Sequence, residues 1–380
     1  MKKIYALFSL LICTAAHGAR TPWGQMIENN FYTPKYMISA ADAWDSVIGA
    51  PWRGGRIAAQ MDGLYNSYDE ARLFEVLGTL AYNHTTMTIS QSRQYLNHAF
   101  DVIDGPLMSR RGGAAQKFVV SGRGFGEFTD FDANNNNNFE FRTGGGTVRA
   151  YAYVADGYAF GVGYTYADSR SHDMPLDVDA KTHIISMFSK YLSQNGFYIN
   201  SALAAGQTGW DMDKRAVGVK DDISFNTDLW SGQINTGIHL QRGKMFIRPQ
   251  LGARYSLINT EHFTDAAAQS FKKWWYNTLT TGGSVNAGIR VAGDGFTATP
   301  HIMLGAGYDI IHTGTDQVRV RVLSGKTYHM PVMAPGRTML YGGAGVGMNI
   351  GTVHADIGYR LDSQSDFIAH NFNATIKITF

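Results

Sequence analysis

The sequence predicts an all-β fold, a twelve-stranded antiparallel transmembrane β-barrel of the outer membrane with an N-terminal helical segment, one helix threading the lumen. Three observations predict it. Within the C-terminal residues 370–380, polar and apolar side chains alternate strictly from Asn371 to Phe380. Stretches with strand character from about residue 116 onward are joined alternately by tight and long links. After the N-terminal leader, no apolar run reaches the roughly 18 residues of a spanning helix.

The N-terminus has the pattern of a secretory signal peptide. Lys2 and Lys3 precede an apolar run over residues 4–12, and small residues follow. We therefore expect residues 1–19 to be cleaved. Cleavage would remove Cys13, the only cysteine, so the mature chain would have no disulfide and no thiolate metal site.

The next part of the chain has helical spacing. Residues 20–59 form a short segment rich in aromatic residues, and residues 60–115 carry two predicted helices. Ser67 and Glu70 fit a capping box that opens the first, and the second is predicted from about Ser90 to Asp104. The residues of this second helix that we single out are Tyr95, Leu96, Ala99, Phe100, Asp101, Val102, Ile103 and Asp104.

Residues 116–380 are predicted to form the barrel. In segments such as Tyr158–Tyr166 and Val353–Leu361, large residues alternate with small or polar ones, as in a strand with one apolar face. Tight hairpin turns are predicted at Asp156-Gly157, Asn195-Gly196, Arg242-Gly243, Asp294-Gly295 and around Gly351. Long polar links are predicted around residues 134–138, 169–176, 211–222, 259–275 and 313–335.

Several charges point into the lumen by strand parity. These lumen charges are Arg248, Arg254, Asp356, Arg360 and Lys377. Asp101 and Asp104 lie on the predicted second helix, and opposite charges attract strongly where water is partly excluded. We expect the lumen cations to clasp this helix and plug the channel. The alternative is that each arginine only hydrates the lumen.

The sequence favours a protein that is not an enzyme and holds no cofactor or metal. His354 and Asp356 share a polar face, but a lumen lining explains them more simply. Nucleophile-elbow and zinc-helix motifs are absent from the sequence. The formal net charge of +2 gives no reason to expect nucleic acid.

The order of elements resembles that of autotransporter (type V secretion) β-barrel translocator domains. Met61–Leu80 is similar to the helical segment ahead of their pore helix. Phe118–Phe128 and Ile247–Tyr255 are similar to the first and seventh strands. The family's C-terminal assembly signal is matched at Ile376, Ile378 and Phe380, without the glycine usually found upstream. The resemblance covers roughly residues 60–380.

This resemblance implies an outer-membrane translocator that passes an N-terminal segment to the cell surface and anchors it. It divides the chain into a signal peptide (1–19), a short residual passenger (20–59), a helical linker with the pore helix (60–115) and the β-barrel domain (116–380). Its implied partners are outer-membrane lipid, the barrel assembly machinery and periplasmic chaperones, and its implied location is the outer membrane of a Gram-negative bacterium. We expect a monomer.

Two other classes of function remain open from the sequence. The barrel could be a surface protein or adhesin whose long outer loops bind a host or surface ligand. A small-solute pore or a barrel phospholipase ranks below both, and no local arrangement of residues argues for phospholipase chemistry.

Overall fold

The structure is a computed structural model. It describes residues 35–48, 83–101, 118–131, 139–173, 176–216, 219–265, 269–322, 326–332, 334–365 and 367–380. The predicted signal peptide, the predicted first helix and three residues of the predicted second helix lie outside these ranges. Those three residues are Val102, Ile103 and Asp104.

Two helices and eighteen strands are present in the described part of the chain. The helices are α1 (Lys35–Ile48) and α2 (Thr85–Asp101). The strands from the first half are β1 (Phe118–Phe131), β2 (Phe139–Ala155), β3 (Tyr158–Asp173), β4 (Leu176–Leu192), β5 (Phe197–Ala216), β6 (Val219–Ile238), β7 (Leu240–Arg242) and β8 (Met245–Thr260). The others are β9 (Phe263–Thr264), β10 (Gln269–Phe271), β11 (Trp274–Ile289), β12 (Val291–Gly293), β13 (Phe296–Gly314), β14 (Gln317–Val322), β15 (Thr327–Pro331), β16 (Thr338–Ile350), β17 (Val353–Gln364) and β18 (Phe367–Thr379).

Twelve of these strands close into one antiparallel barrel, as predicted. Their order is β1, β2, β3, β4, β5, β6, β8, β11, β13, β16, β17 and β18, and β18 pairs back with β1. The closing pairs run from Val119 opposite Thr379 to Phe131 opposite Phe367. Closure satisfies the backbone groups of both end strands, which a lipid environment requires because it offers no water to replace them.

The barrel wall is apolar outside and polar inside. Large side chains such as Ile185, Leu251 and Ile357 are exposed on the outer surface. Buried inward residues include Arg149 and Thr165. This is the arrangement of a barrel surrounded by lipid, and the inverse of a soluble barrel. Among the described residues, neither helix is long and apolar enough to cross a membrane.

One rim of the barrel carries the tight turns predicted from the sequence. Gly157, Gly196, Gly243, Gly295 and Gly351 have φ between 56° and 88°. Such positive φ angles are typical of tight hairpin turns, and glycine adopts them without steric cost. All five lie at links between consecutive barrel strands, and the prediction of the tight turns is confirmed.

At the other rim, two of the predicted long loops are strand instead. β3 and β4 leave only residues 174–175 between them, and β5 and β6 leave only 217–218. The prediction of loops at 169–176 and 211–222 is therefore wrong. Polar residues there suggested loops, but hairpins that extend beyond the lipid can carry polar side chains on both faces while their backbones stay paired.

The links at 259–275 and 313–335 contain a second sheet, which we call the outer sheet. It has the order β15-β14-β10-β9 and is antiparallel throughout. One of its faces is buried and apolar, with Phe271, Val318, Val320, Tyr328 and Met330 at most 1% exposed. The outer sheet thus has its own packed face rather than being a set of irregular loops.

Helix α1 packs on this outer sheet, mainly on β15 and β14. Trp44 is fully buried there, and Ala40 and Ala43 on the same side of the helix are also buried. The backbone N–H of Lys326 donates to Ser46 Oγ over 3.2 Å. The aromatic segment expected between signal and linker therefore contains a helix that is docked on the outer sheet.

Candidate functional site

The candidate site is the barrel lumen with helix α2 inside it. The helix is capped by Asn83, whose Oδ1 accepts from Thr85 N at 3.1 Å and from Thr85 Oγ1 at 2.6 Å. Asn83 Nδ2 also donates to Pro331 O of β15 at 2.8 Å. Because this cap bonds directly to the outer sheet, α2 starts at the rim opposite the tight turns.

An aromatic cluster surrounds the residue that follows this cap. The ring of His84 lies 5.3 Å from that of Phe225, 5.4 Å from Phe263 and 5.6 Å from Phe271, and 6.5 Å from that of Trp274. Rings at these separations contribute packing energy beyond their buried area. The cluster joins β6, β9, β10 and β11 to the start of α2.

The middle of α2 is tied to the wall by an ion pair. Arg93 Nη1 lies 2.9 Å from Asp309 Oδ2, and Nη2 lies 3.1 Å from Oδ1. Thr280 Oγ1 donates to Asp309 Oδ1 at 2.6 Å. The register between β11 and β13 shifts beside this pair, which leaves Ile310 unopposed. This β-bulge lets both Ile310 and Ile311 face outward while Asp309 faces α2.

A second set of contacts joins α2 to β1. His98 Nε2 lies 2.9 Å from Glu127 Oε2, and both side chains are fully buried. The His98 ring also stacks on Phe125, with centroids 3.9 Å apart and planes 11° apart. Gln91 Nε2 donates to Glu127 Oε1 at 3.4 Å and to Thr143 Oγ1 at 3.0 Å. This network fixes how α2 is rotated in the lumen.

Tyr95 continues this network on the same face of α2, between Gln91 and His98. Its hydroxyl donates to Ser169 Oγ at 2.8 Å, and Ser169 Oγ lies 2.7 Å from Thr143 Oγ1. The Tyr95 ring also lies 6.4 Å from that of Trp210. The predicted pore-helix residues Leu96, Ala99 and Phe100 are buried as well.

Arginines from three barrel strands surround the C-terminal end of α2. Asp101 Oδ2 accepts from Arg123 Nη2 at 3.2 Å, and Asp101 Oδ1 accepts from Arg360 Nη1 at 2.6 Å. The carbonyl oxygens of His98 and Ala99 accept from Arg123 and Arg149 respectively. The last carbonyls of a helix lack partners within the helix and carry partial negative charge, so cations stabilise this end.

The five predicted lumen charges all face the interior but do not act alike. Arg360 contacts Asp101, and it also donates to Asp362 Oδ2 at 2.8 Å. Arg254 binds α2 through the amide oxygen of Asn97, and its guanidinium carbon lies 4.9 Å from the centre of the Phe100 ring. This contact is a cation–π interaction and not an ion pair with a helix carboxylate.

The remaining predicted charges lie on the wall of a cavity beside α2. Arg248 Nη2 donates to Asn286 Oδ1 of the neighbouring strand at 3.2 Å. Asp356 Oδ2 lies 3.9 Å from His301 Nδ1. Lys377 lines the same cavity, which has a volume of about 1420 Å³ and extends to the tight-turn rim. The expected contacts of Arg248 and Lys377 with α2 are therefore not seen; both side chains face the cavity instead.

Several other helix contacts involve residues that the sequence analysis missed, namely Arg93, His98, Arg123, Glu127, Arg149 and Asp309. Strand parity in β1 puts Arg123, Phe125 and Glu127 on one inward face, so this signal was available. For Asp309 the signal was misleading, because the bulge interrupts the alternation of β13.

The three assembly-signal residues lie on the lipid-facing side of β18. Ile376 is 56% exposed, Ile378 37% and Phe380 63%. The backbone N–H of Phe380 donates to Phe118 O at 2.9 Å, so the last residue is paired with the start of the first barrel strand. The aromatic terminus therefore lies at the seam where the barrel closes.

His354 and Asp356, which share a polar face in the sequence, have different partners in the lumen. His354 Nδ1 lies 2.9 Å from Asn349 Oδ1, and the nearest ion-pair partner of Asp356 is His301, so the suggested His354–Asp356 pair is not formed. Within the described ranges, no group of three or more His, Cys, Asp or Glu side chains could hold a metal ion.

Comparisons with known proteins agree with this geometry. A family model described as Autotransporter beta-domain matches residues 120–360. The translocator domain of autotransporter NalP from Neisseria meningitidis is similar in structure, with TM-score 0.61, 12% identity, 77% of this chain and 95% of that chain covered. The transport unit of AIDA-I from Escherichia coli gives TM-score 0.56 and 11% identity over 78% of this chain and all of that one.

A third similar structure is the β-domain of the Bordetella autotransporter BrkA. It gives TM-score 0.54 and 15% identity, with 70% of this chain and 100% of that chain covered. At these identities the likeness concerns the fold. A search of curated proteins finds no match.

Proposed function

Because the chain belongs to the autotransporter β-domain family, we propose that this outer-membrane barrel carries its own N-terminal segment through the lumen to the cell surface and anchors it there. The observation that carries the proposal is the position of α1. It is docked on the outer sheet, at the rim opposite the tight turns, while the chain that follows enters the lumen as α2.

The direction of the chain supports this proposal. In barrels of this kind the tight turns face the periplasm, so the outer sheet faces outward. Asn83 at the start of α2 bonds to β15 of that sheet, and Asp101 at its end bonds to Arg123 and Arg360 on the barrel wall. The chain thus runs inward from a segment that is already outside.

The contacts along α2 suit an anchor. The Arg93–Asp309 pair, the His98–Glu127 pair and the arginines at Asp101 hold successive turns of the helix against the wall. These groups are largely removed from bulk water. Separating such a pair therefore leaves a buried charge without compensation. A translocated segment attached to α2 would therefore stay attached to the cell, and the barrel needs no catalytic group.

The same proposal includes the partners and the route of export. Residues 1–19 direct export and are cleaved, and periplasmic chaperones deliver the chain. The assembly machinery then reads Ile376, Ile378 and Phe380, whose exposure on the last strand suits a docking motif. The barrel works as a monomer surrounded by outer-membrane lipid.

Cysteine labelling in intact cells tests the proposal, since the only natural cysteine lies in the predicted signal peptide. Asp42 is an exposed residue of α1, and Asp294 is an exposed residue of a tight turn. Asp42→Cys and Asp294→Cys make the same chemical change at opposite rims. A membrane-impermeant maleimide is expected to label the first in intact cells and the second only after the outer membrane is permeabilised.

Equal protection of both cysteines in intact cells would contradict the proposal, because α1 would then be in the periplasm. Glu261→Cys, an exposed position next to the outer sheet, shows whether the barrel itself is inserted. If Glu261→Cys is labelled and Asp42→Cys is not, the barrel faces outward but its N-terminal segment has not crossed.

A further inference from the structure

The exposed face of the outer sheet carries a compact group of basic side chains, which we call the basic face: Lys272, Arg319, Arg321 and His329. All four are exposed. Arg319 is directly opposite His329 on β15. The backbone N–H of Lys272 donates to Arg319 O at 3.0 Å, which places Lys272 opposite Arg319 on the other side.

These pairings give the basic face its shape. Lys272, Arg319 and His329 form one row across three neighbouring chain segments, which lie roughly 4.8 Å apart, so the row is about 10 Å long. Arg321 follows two residues along β14 on the same face, about 7 Å from Arg319. Ser270 and Thr327 lie opposite Arg321 on its two sides.

Such a row has a cost for folding. Like charges directly opposite each other on a sheet destabilise it, and no carboxylate within the described ranges forms an ion pair with Arg319 or Arg321. The exposed carboxylates nearby in sequence, Asp316 and Glu261, lie outside the strands of the sheet. An anionic ligand that bridges these cations would offset the repulsion between them.

We propose that the basic face binds a sulfated polysaccharide at the cell surface. A linear polymer with repeated sulfate groups can span a 10 Å row, and arginine presents a planar fork of donors to each anion. The face lies on strands beyond the ends of the membrane-spanning strands, and its side chains are exposed. The opposite face is covered by α1 and is not available.

Two other polyanions fit less well. Single-stranded nucleic acids are held through base stacking on aromatic side chains, and the Phe and Tyr residues of the outer sheet are buried. Lipopolysaccharide carries its phosphates on separate headgroups and not as a repeat along one linear polymer, so it matches a continuous row of cations less well. The inference rests on the outward orientation given in the proposed function, but binding itself can be measured without cells.

Heparin is the probe for a binding measurement on the purified full-length chain in detergent at low salt. Arg319→Gln with Arg321→Gln removes two charges from the basic face. The matched control, Arg242→Gln with Arg290→Gln, removes two exposed arginines at the tight-turn rim. We expect the first pair to weaken heparin binding by roughly tenfold or more and the control by less than about twofold.

Selectivity is tested with chemically desulfated heparin and with purified lipopolysaccharide, and both are expected to compete poorly. Equal weakening by the two arginine pairs, equal binding of the desulfated polymer or stronger competition by lipopolysaccharide would each overturn the inference. Lys272→Gln is a milder second variant, and the heat-modifiable migration of the barrel on a gel verifies folding. If the purified protein does not bind heparin, the Asp42→Cys labelling in intact cells is still expected to succeed. The two results therefore distinguish failure of this inference from failure of the proposed function.

Discussion

Replacing Asp309 by alanine is the most direct test of how α2 is held in the lumen. Asp309 is fully buried. Its carboxylate accepts hydrogen bonds from Nη1 and Nη2 of Arg93 and from the hydroxyl of Thr280. The side chain of Arg93 is only 12% exposed. Asp309→Ala removes the carboxylate but leaves the positive charge of Arg93 in the lumen.

The size of the effect follows from this burial. Removing one partner of a buried ion pair costs about 3–5 kcal/mol, most of it because the other charge loses compensation. Arg93 borders the lumen cavity, so water can partly replace the lost carboxylate. We therefore expect the lower end, about 3 kcal/mol, which corresponds to more than a hundredfold change in the equilibrium between held and released α2.

Hydrogen exchange of the α2 amides in the detergent-solubilised protein measures this equilibrium, since exchange requires the helix to open. Asp179→Ala is the matched control. Asp179 Oδ1 lies 3.3 Å from Arg170 Nε, but these side chains are 54% and 60% exposed. An exposed pair contributes at most about 1 kcal/mol, so the control should leave the exchange of α2 unchanged. In planar bilayers, Asp309→Ala should open the channel more often.

A double-mutant cycle decides whether the effect belongs to this pair. Asp309→Ala leaves the charge of Arg93 without a partner, and Arg93→Ala removes that charge. The double variant should therefore lose less stability than the sum of the losses in the two single variants. Strict additivity, or α2 exchange as slow in Asp309→Ala as in the Asp179→Ala control, would refute the account of α2 as a helix held by its ion pairs.

Three further changes test other parts of the molecule. Gly145→Ala should destabilise the barrel by about 1–3 kcal/mol, because the added methyl would meet the backbone oxygen of Tyr166 and the Phe125 ring, whereas Gly144→Ala has open space and should be neutral in thermal unfolding. Trp44→Ala should weaken the docking of α1 on the outer sheet by about 3–5 kcal/mol and so speed its proteolysis. An unchanged rate of proteolysis would contradict this role of Trp44. Phe380→Ala should lower the amount of heat-modifiable barrel in the outer membrane, and normal amounts would argue against the assembly signal.

Much of the fold was readable because its determinants are local. Alternation along a strand reports which face meets lipid, and the glycine turns at one rim report where hairpins reverse. The helical spacing around Tyr95 and Phe100 likewise predicted α2, although the helix begins at Thr85 rather than near Ser90. The assignment of 211–222 to a loop failed because polarity indicates contact with water and does not indicate an unpaired backbone.

The sequence by itself thus determined the barrel, its tight-turn rim, the presence of a helix ahead of it and the inward direction of its charges. Only the tertiary structure decided which charges meet. Arg93 and Asp309 are 216 residues apart in sequence, and their contact depends on barrel closure, on the rotation of α2 and on a bulge beside Ile310. Strand and helix periods are set by neighbouring residues, whereas a contact across the lumen depends on the register of every strand between its partners.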